Sequence, residues 1–475
     1  MCLGYSRGMR RRTRRRDTAQ SIGVQGGEAD VAAAESQREV VTVRIDGLAT
    51  GGDAVGRQES GAHVGRATFV PLAAPGETVL VRLLREKARV AWGEMESVAS
   101  APSPHRVTPP CPVFGECGGC QWQHVSLDVQ REAKRQIVAR ALGWPDVTLR
   151  SAVPTAAAAA VAGSPTATSD GAWAYRERAR LSVGPSKTLG FRARRSHAIV
   201  DVVSCALLSP ALATVLTSIR SDIDALPADT EIDLQAGREG VHANVRVPRA
   251  RGPRDAAQTR IDAQRFAQDI LDRHRAAGLV GVCVDASDAR EGGSAASAGD
   301  EDVDVSEAGG PALRIPAGGF SQVGRWANAA LVGAALEALG ATPGNVLELY
   351  AGSGNFTRHL CATTNLVTAS DGDRDARARG RLNAPGADWV AEPPRELHAD
   401  TVFVDPPRGG LDAIAMAAAL RARQQVIYVS CDPQTLGRDA QRLVSSGFRL
   451  ASVVALDLMP QTYHVEVVAK FVRVP

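Results

Sequence analysis

From about residue 312 to the C-terminus, short apolar runs bounded by turn residues alternate with helix-length segments. This βαβα rhythm constrains the fold more than any other feature, because parallel strands joined by helices make one sheet covered on both faces. The expectation is a doubly wound, Rossmann-like α/β sheet. Its first marked strand, Val346-Leu-Glu-Leu, runs into Tyr350-Ala-Gly352-Ser-Gly354-Asn355-Phe-Thr357. A glycine-rich turn there brings backbone close to a ligand at the carboxyl edge of the sheet. Thr357 stands where a dinucleotide fingerprint has its third glycine, which argues against a nicotinamide cofactor. A second strand, from Asn365, ends at Asp371, whose carboxylate can accept hydrogen bonds from both hydroxyls of an adenosyl ribose. Taken alone, the G-x-G pair is equally well a tight turn.

Two further strand ends carry chemistry. Thr401-Val-Phe-Val-Asp405-Pro-Pro-Arg-Gly-Gly410 sets an acid before a rigid proline pair, and Val426-Ile-Tyr-Val-Ser430-Cys431-Asp432-Pro433 delivers a cysteine to the same edge. The last apolar strand opens at His464-Val-Glu466. Asp-Pro-Pro by itself also suits methyl transfer to a base nitrogen. A cysteine on a buried strand is most often an inert core residue, and a lone glutamate is most often a surface acid. Together they fit one reaction. C5 of uracil is too weak a nucleophile to attack a sulfonium methyl until a thiolate adds at C6. Afterwards a separate base must remove the C5 proton. Cys431 is the candidate nucleophile and Glu466 the candidate base. A reactive Cys431 is expected to have its pKa depressed below the usual ~8.5.

Upstream, 475 residues exceed what one core usually holds. Short strands at Val40–Ile45, Ala67–Pro71, Thr78–Leu83 and Arg89–Val98 predict a small OB-type barrel, a shape often used on single-stranded nucleic acid. A helix is predicted near 126–142, and strands at Ala179–Val183 and His242–Val247. Thr155–Asp170 and Ala286–Gly310 are Ala/Gly/Ser-rich and read as surface insertions.

Of the eight cysteines, Cys111, Cys117 and Cys120 form C-x5-C-x2-C, with Cys205 far downstream. Four thiolates suit an iron–sulfur cluster or a zinc ion. The long first spacing favours the cluster, and spacing alone barely separates Cys205 from Cys283 or Cys361.

Residues 1–16 hold seven arginines and no acid, so the rest of the chain, with 48 basic and 52 acidic side chains, is slightly negative. RNA contact by the body must therefore come from local patches. The tail is either a disordered extension or an RNA-binding arm. No apolar run approaches the ~18–20 residues of a membrane span, and no apolar segment of a secretory signal follows the charges. A cytoplasmic monomer is expected.

The Ser430–Asp439 and Pro460–Glu466 motifs closely resemble the signatures of the RNA uracil-C5-methyltransferase family, whose members act on tRNA or large-subunit ribosomal RNA. The likeness covers about residues 40–475. It implies S-adenosyl-L-methionine as methyl donor, bound by Gln322, Tyr350, Gly352, Gly354, Asn355, Asp371 and Asp405. It also implies Cys431 as nucleophile, Glu466 as base, and a uridine in an RNA loop as target. The C-x5-C-G-G-C segment resembles the family's cluster-bearing branch. That implies a [4Fe–4S] cluster on Cys111, Cys117, Cys120 and Cys205, with zinc second. Gly324 stands where the family usually has an asparagine, and Asp371 where glutamate is commoner.

The expected organisation is a disordered basic tail (1–38), a TRAM-like barrel (39–100), a central α+β domain with the cysteines (101–311) and the methyltransferase sheet (312–475). The competing readings are a methyltransferase acting on a base nitrogen or a protein, which would not need Cys431, and a non-catalytic RNA-binding iron–sulfur protein.

Overall fold

The computed structural model describes residues 38–152, 171–248, 256–285, 296–305, 312–324, 326–364 and 366–475. The expected tail and the Thr155–Asp170 insertion lie outside them, apart from Arg38. Five strands close the N-terminal barrel in the order Val40–Leu48, Ala54–Gln58, Ala67–Val70, Val90–Val98, Thr78–Glu86. Period-two alternation puts Val41, Val43 and Ile45 inside. The second strand escapes sequence reading because Gly56 and Arg57 break its apolar pattern.

The helix Leu127–Leu142 is a wedge. Ala133 and Ile137 pack into the barrel core, while Val138 joins the core of the C-terminal sheet. Burying Ile137 and Val138 contributes about 1.5–3 kcal/mol apiece. Gly143 ends the helix in the left-handed conformation.

The central unit is a seven-stranded sheet in the order Ala296–Gly299, Leu279–Asp285, Val241–Arg246, Glu231–Ala236, Arg178–Val183, Leu189–Arg192, Ile199–Asp201. Helices Pro210–Ser221 and Ala256–His274 supply its apolar cover. Here one expectation is corrected. Part of the Ala286–Gly310 segment is structured, with strands at Ala296–Gly299 and Asp302–Asp304. Ala296 and Ala298 are buried in the same core as Ala267 and Leu271. Residues this small hide a strand's alternation within a low-complexity composition.

The C-terminal sheet has eight strands in the order Asp388–Val390, Val367–Ser370, Val346–Leu349, Thr401–Val404, Gln425–Ser430, Glu466–Arg473, Phe448–Asp457, Thr148–Ser151. The first five run parallel, and Glu466–Arg473 is antiparallel to both its neighbours. The edge strand Thr148–Ser151 corrects the expected boundary. It pairs in parallel with Val454–Asp457, so the segment from Leu127 to Ser151 builds onto the sheet although it lies within the stretch assigned to the central domain. Among the described residues no helix is long and apolar enough to cross a membrane.

Candidate active site

The parallel strands deliver their carboxyl ends to one edge. Strand Val346–Leu349 ends at Tyr350, which with Gly352 and Gly354 has positive φ (61°, 56° and 90°). Such a conformation is strained for tyrosine and easy for glycine. A Cβ on Gly352 would meet nothing within 4 Å, leaving room for a ligand, whereas one on Gly354 would touch the Trp389 ring at 3.4 Å. Asp371 fixes the turn: one carboxylate oxygen accepts the Gly352 N–H and the other the Asp373 N–H, each at 2.8 Å. The side-chain amides of Asn355 and Asn328 bond reciprocally at 2.7 and 2.9 Å.

These residues border a cavity of about 1070 Å³ lined by Gln322, Tyr350, Gly352, Asn355, Asp371 and Asp405 among others. Six of the seven expected donor-binding residues therefore meet in one space. Gly354, Cys431 and Glu466 are not part of its lining. The link is Asp405, which lines the cavity and whose charge acts on both Cys431 and Glu466.

Strands Gln425–Ser430 and Glu466–Arg473 are antiparallel with Ser430 paired to Val467. Continued by one step, that register sets Cys431 opposite Glu466, and directly opposed side chains project on the same face. The thiol feels the carboxylate, and both groups feel burial and Asp405. Burial, then the Glu466 carboxylate, pushes the Cys431 thiol up to about 11, while Arg408 opposes the shift. Burial, then Asp405, pushes Glu466 up to about 8, with Arg408 again opposing. Burial alone lifts Asp405 to about 7. The expected depression of the Cys431 pKa is thus reversed, because its neighbours are acids and its surroundings are dry.

The loop after Asp405 is held by Asp439, whose Oδ2 accepts the Tyr428 hydroxyl and the Leu411 N–H, both at 2.8 Å. Asp432 caps the helix Pro433–Ser445 by accepting the Gln434 and Thr435 N–H groups at 2.9 and 3.1 Å. The strand that ends beside Cys431 and the Asp405 loop therefore share one buried anchor.

Cys111, Cys117, Cys120 and Cys205 line a second, small pocket together with Arg176. Burial pushes the thiols of Cys117, Cys120 (to about 12) and Cys205 up, and the charges of neighbouring cysteines add to each shift. Four sulfurs that would repel one another as thiolates form a donor set suited to a cationic centre. Among the described residues no group of three or more His, Cys, Asp or Glu side chains is arranged to hold a single metal ion.

Sequence reasoning missed four residues. Glu348 is buried beneath the turn, and burial, with Asp405 and Asp371 adding, pushes it up to about 8. Its signal was available, since an acid inside an apolar parallel strand is anomalous. Phe320 lines the cavity with 76% of its surface exposed, an unusual state for a large aromatic. Arg408 follows the Asp405-Pro-Pro segment, where the sequence gives it no role, and nothing local marks Asn328.

The family model described as "tRNA (Uracil-5-)-methyltransferase" matches residues 395–473, and the TRAM domain model matches residues 35–95. The 23S rRNA (uracil(1939)-C(5))-methyltransferase RlmD of Chromohalobacter salexigens is 34% identical over 444 residues, spanning 89% of this chain and 87% of its own. The enzyme of that name from Pectobacterium atrosepticum is 30% identical, spanning 91% and 94%. The crystal structure of the Pyrococcus abyssi tRNA (uracil-54, C5)-methyltransferase in complex with S-adenosyl-L-homocysteine shares the fold. Its TM-score is 0.67 at 24% identity, over 90% of this chain and 99% of that one. By its sequence along nearly the whole length, this chain belongs to the RNA uracil-C5-methyltransferase family.

Proposed function

We propose that this chain transfers a methyl group from S-adenosylmethionine to C5 of a uridine in 23S rRNA, with Cys431 as nucleophile and Glu466 as base. The observation that supports it is the register that sets Cys431 opposite Glu466, beside the Asp405 end of the large cavity. Bound S-adenosylmethionine supplies an electrophilic sulfonium methyl. Gln322, Tyr350, Asn355, Asp371 and Asp405 hold it, and the open space over Gly352 fits a ligand there. The Cys431 thiolate bonds to C6 of uracil, and the C5–C6 π pair moves to make C5 an enolate-like carbon that accepts the methyl. Glu466 then takes the C5 proton. The electron pair left behind restores the double bond as the Cys431 sulfur departs. A uracil must leave its stack to be reached from both faces, and the exposed Phe320 ring gives it a surface to stack on.

Cys111, Cys117, Cys120 and Cys205 would hold a [4Fe–4S] cluster. Four cysteine sulfurs around one pocket are the donor set such a cluster takes, and the C-x5-C-G-G-C likeness favours it over zinc. The cluster would cross-link the segment after the barrel to the central sheet.

The direct test is in vitro methylation of unmodified 23S rRNA and tRNA with labelled S-adenosylmethionine, followed by mass-spectrometric mapping. 5-Methyluridine at one 23S position supports the proposal. Label confined to tRNA refutes the choice of RNA, and label on a base nitrogen refutes the chemistry.

A further inference from the structure

The loop that carries the base is held from outside its own sheet. Residues 458–465 join strand Phe448–Asp457 to Glu466, and three buried polar groups reach into that connection. Lys134 Nζ donates to Asp457 Oδ1 at 2.5 Å and to the Met459 carbonyl at 2.9 Å. The Tyr175 hydroxyl donates to the Pro460 carbonyl at 3.0 Å. Gln130 takes hold of Gln461: its Oε1 accepts the Gln461 N–H at 2.9 Å, and its Nε2 donates to Gln461 Oε1 at 3.0 Å. The same Nε2 also bonds the carbonyls of Trp122 and Val125 at 3.0 and 2.8 Å. In return the Gln461 carbonyl accepts the N–H groups of Gln121 and Trp122, both at 3.0 Å. Gln461 itself sits at φ 68°, a left-handed conformation that a glutamine holds only when its surroundings impose it.

We infer that Gln130 is a positioning residue for the base, fixing the strained Gln461 corner five residues before Glu466. The inference rests on the reading of Glu466 as base. Gln130 is 1% exposed, so its amide has given up water to make these bonds. An apolar side chain would fill the same space between barrel and sheet without that cost. All of its bonds go to the residues after Cys120 and to the corner before Glu466, which makes helix Leu127–Leu142 a strut between the cysteine segment and the base. A strut for the base alone acts late in the reaction, because the carboxylate is needed only after methyl transfer.

The test uses the full-length protein and an unmethylated 23S rRNA transcript. It compares Gln130→Met, Gln130→Glu and Glu466→Gln with the unaltered chain. Single-turnover methyl transfer, covalent protein–RNA adduct on denaturing gels, the KM for S-adenosylmethionine and the melting temperature are measured for each. Gln130→Met is expected to transfer the methyl group at nearly the normal rate but to release product roughly 5- to 150-fold more slowly, accumulating adduct. Gln130→Glu keeps the acceptor for the Gln461 N–H but sets an acceptor against the three oxygens that Nε2 served, so its release should be slowed as well. If Gln130→Met slows methyl transfer and release alike, or lowers melting temperature without accumulating adduct, Gln130 is structural and the inference is overturned. If Gln130→Met does not fold, the Gln130→Glu variant decides: release at the normal rate with no adduct overturns the inference, and slowed release with adduct upholds it. Should Glu466→Gln itself release product normally, the base assignment fails instead, and the two failures are told apart.

Discussion

Ser430 pairs with Val467 across two antiparallel strands, so the next residue of each, Cys431 and Glu466, is carried to the same end of the sheet, and the Glu466 carboxylate acts on the Cys431 thiol. Burial raises both groups; the carboxylate adds to the shift of the thiol, and Asp405 adds to both. An acid beside a cysteine hinders a resting thiolate; under the proposed mechanism the same acid collects a proton once the cysteine is bonded to substrate.

Glu466→Gln should therefore leave adduct formation intact and slow turnover by about 10²–10⁴-fold, the usual worth of a positioned base. Gel-shifted protein–RNA complex that persists with ordinary RNA is the readout. Normal turnover would remove Glu466 from the mechanism.

The pH dependence follows from the same pair. Glu466 titrates at about 8, so below that pH most molecules hold the proton that the carboxylate must lack to act as base. Product release measured after a single methyl transfer should rise by roughly tenfold per pH unit below about 8 and level off above it. A release rate flat from pH 6 to 9 contradicts the assignment.

Glu348 gives a stability test. Its folded pKa of about 8 lies well above that of an exposed glutamate, so across that window the folded chain keeps a proton the unfolded chain has lost. Stability therefore declines as pH rises from about 4.5 to 8. Glu348→Gln removes this dependence, and its melting temperature should gain on the unaltered chain steadily between pH 5 and pH 8. Parallel curves would mean that Glu348 is not held neutral.

Asp439→Leu strips partners from the Tyr428 hydroxyl and the Leu411 N–H in the core. A loss of about 1–3 kcal/mol per stranded group is expected, with adduct formation falling because the Asp405 loop loses its anchor. Chemical denaturation and 5-fluorouridine trapping measure the two effects separately.

The cysteine pocket is tested without activity. Protein purified anaerobically should carry about four irons and about four sulfides per chain with a visible absorbance band. Cys205→Ala should lose both. One zinc per chain and no sulfide would reverse the choice of metal.

Much of this site could be read from sequence because its residues sit where strands end. Asp371, Asp405 and Cys431 each follow an apolar run, and Glu466 opens one, so placing the strands placed them. What stayed hidden depends on pairing between distant segments. Nothing local marks Thr148–Ser151 as the edge partner of Phe448–Asp457. The pKa of Cys431 is hidden for the same reason: burial by the assembled sheet raises it first, and acids arriving from two other strands add to the shift. Gln130 and Gln461 are ordinary polar residues until the wedge helix brings them into contact.

The proposed chemistry turns on a bond between the Cys431 sulfur and C6 of a uridine. The most direct measurement incubates the protein with S-adenosylmethionine and 23S rRNA carrying 5-fluorouridine, then maps the cross-linked peptide by mass spectrometry. Fluorine cannot leave as a proton does, so the adduct should persist, carry one added methyl, and map to Cys431, with Cys431→Ala giving none. An adduct on another residue, or methylated RNA released by Cys431→Ala, would contradict the account.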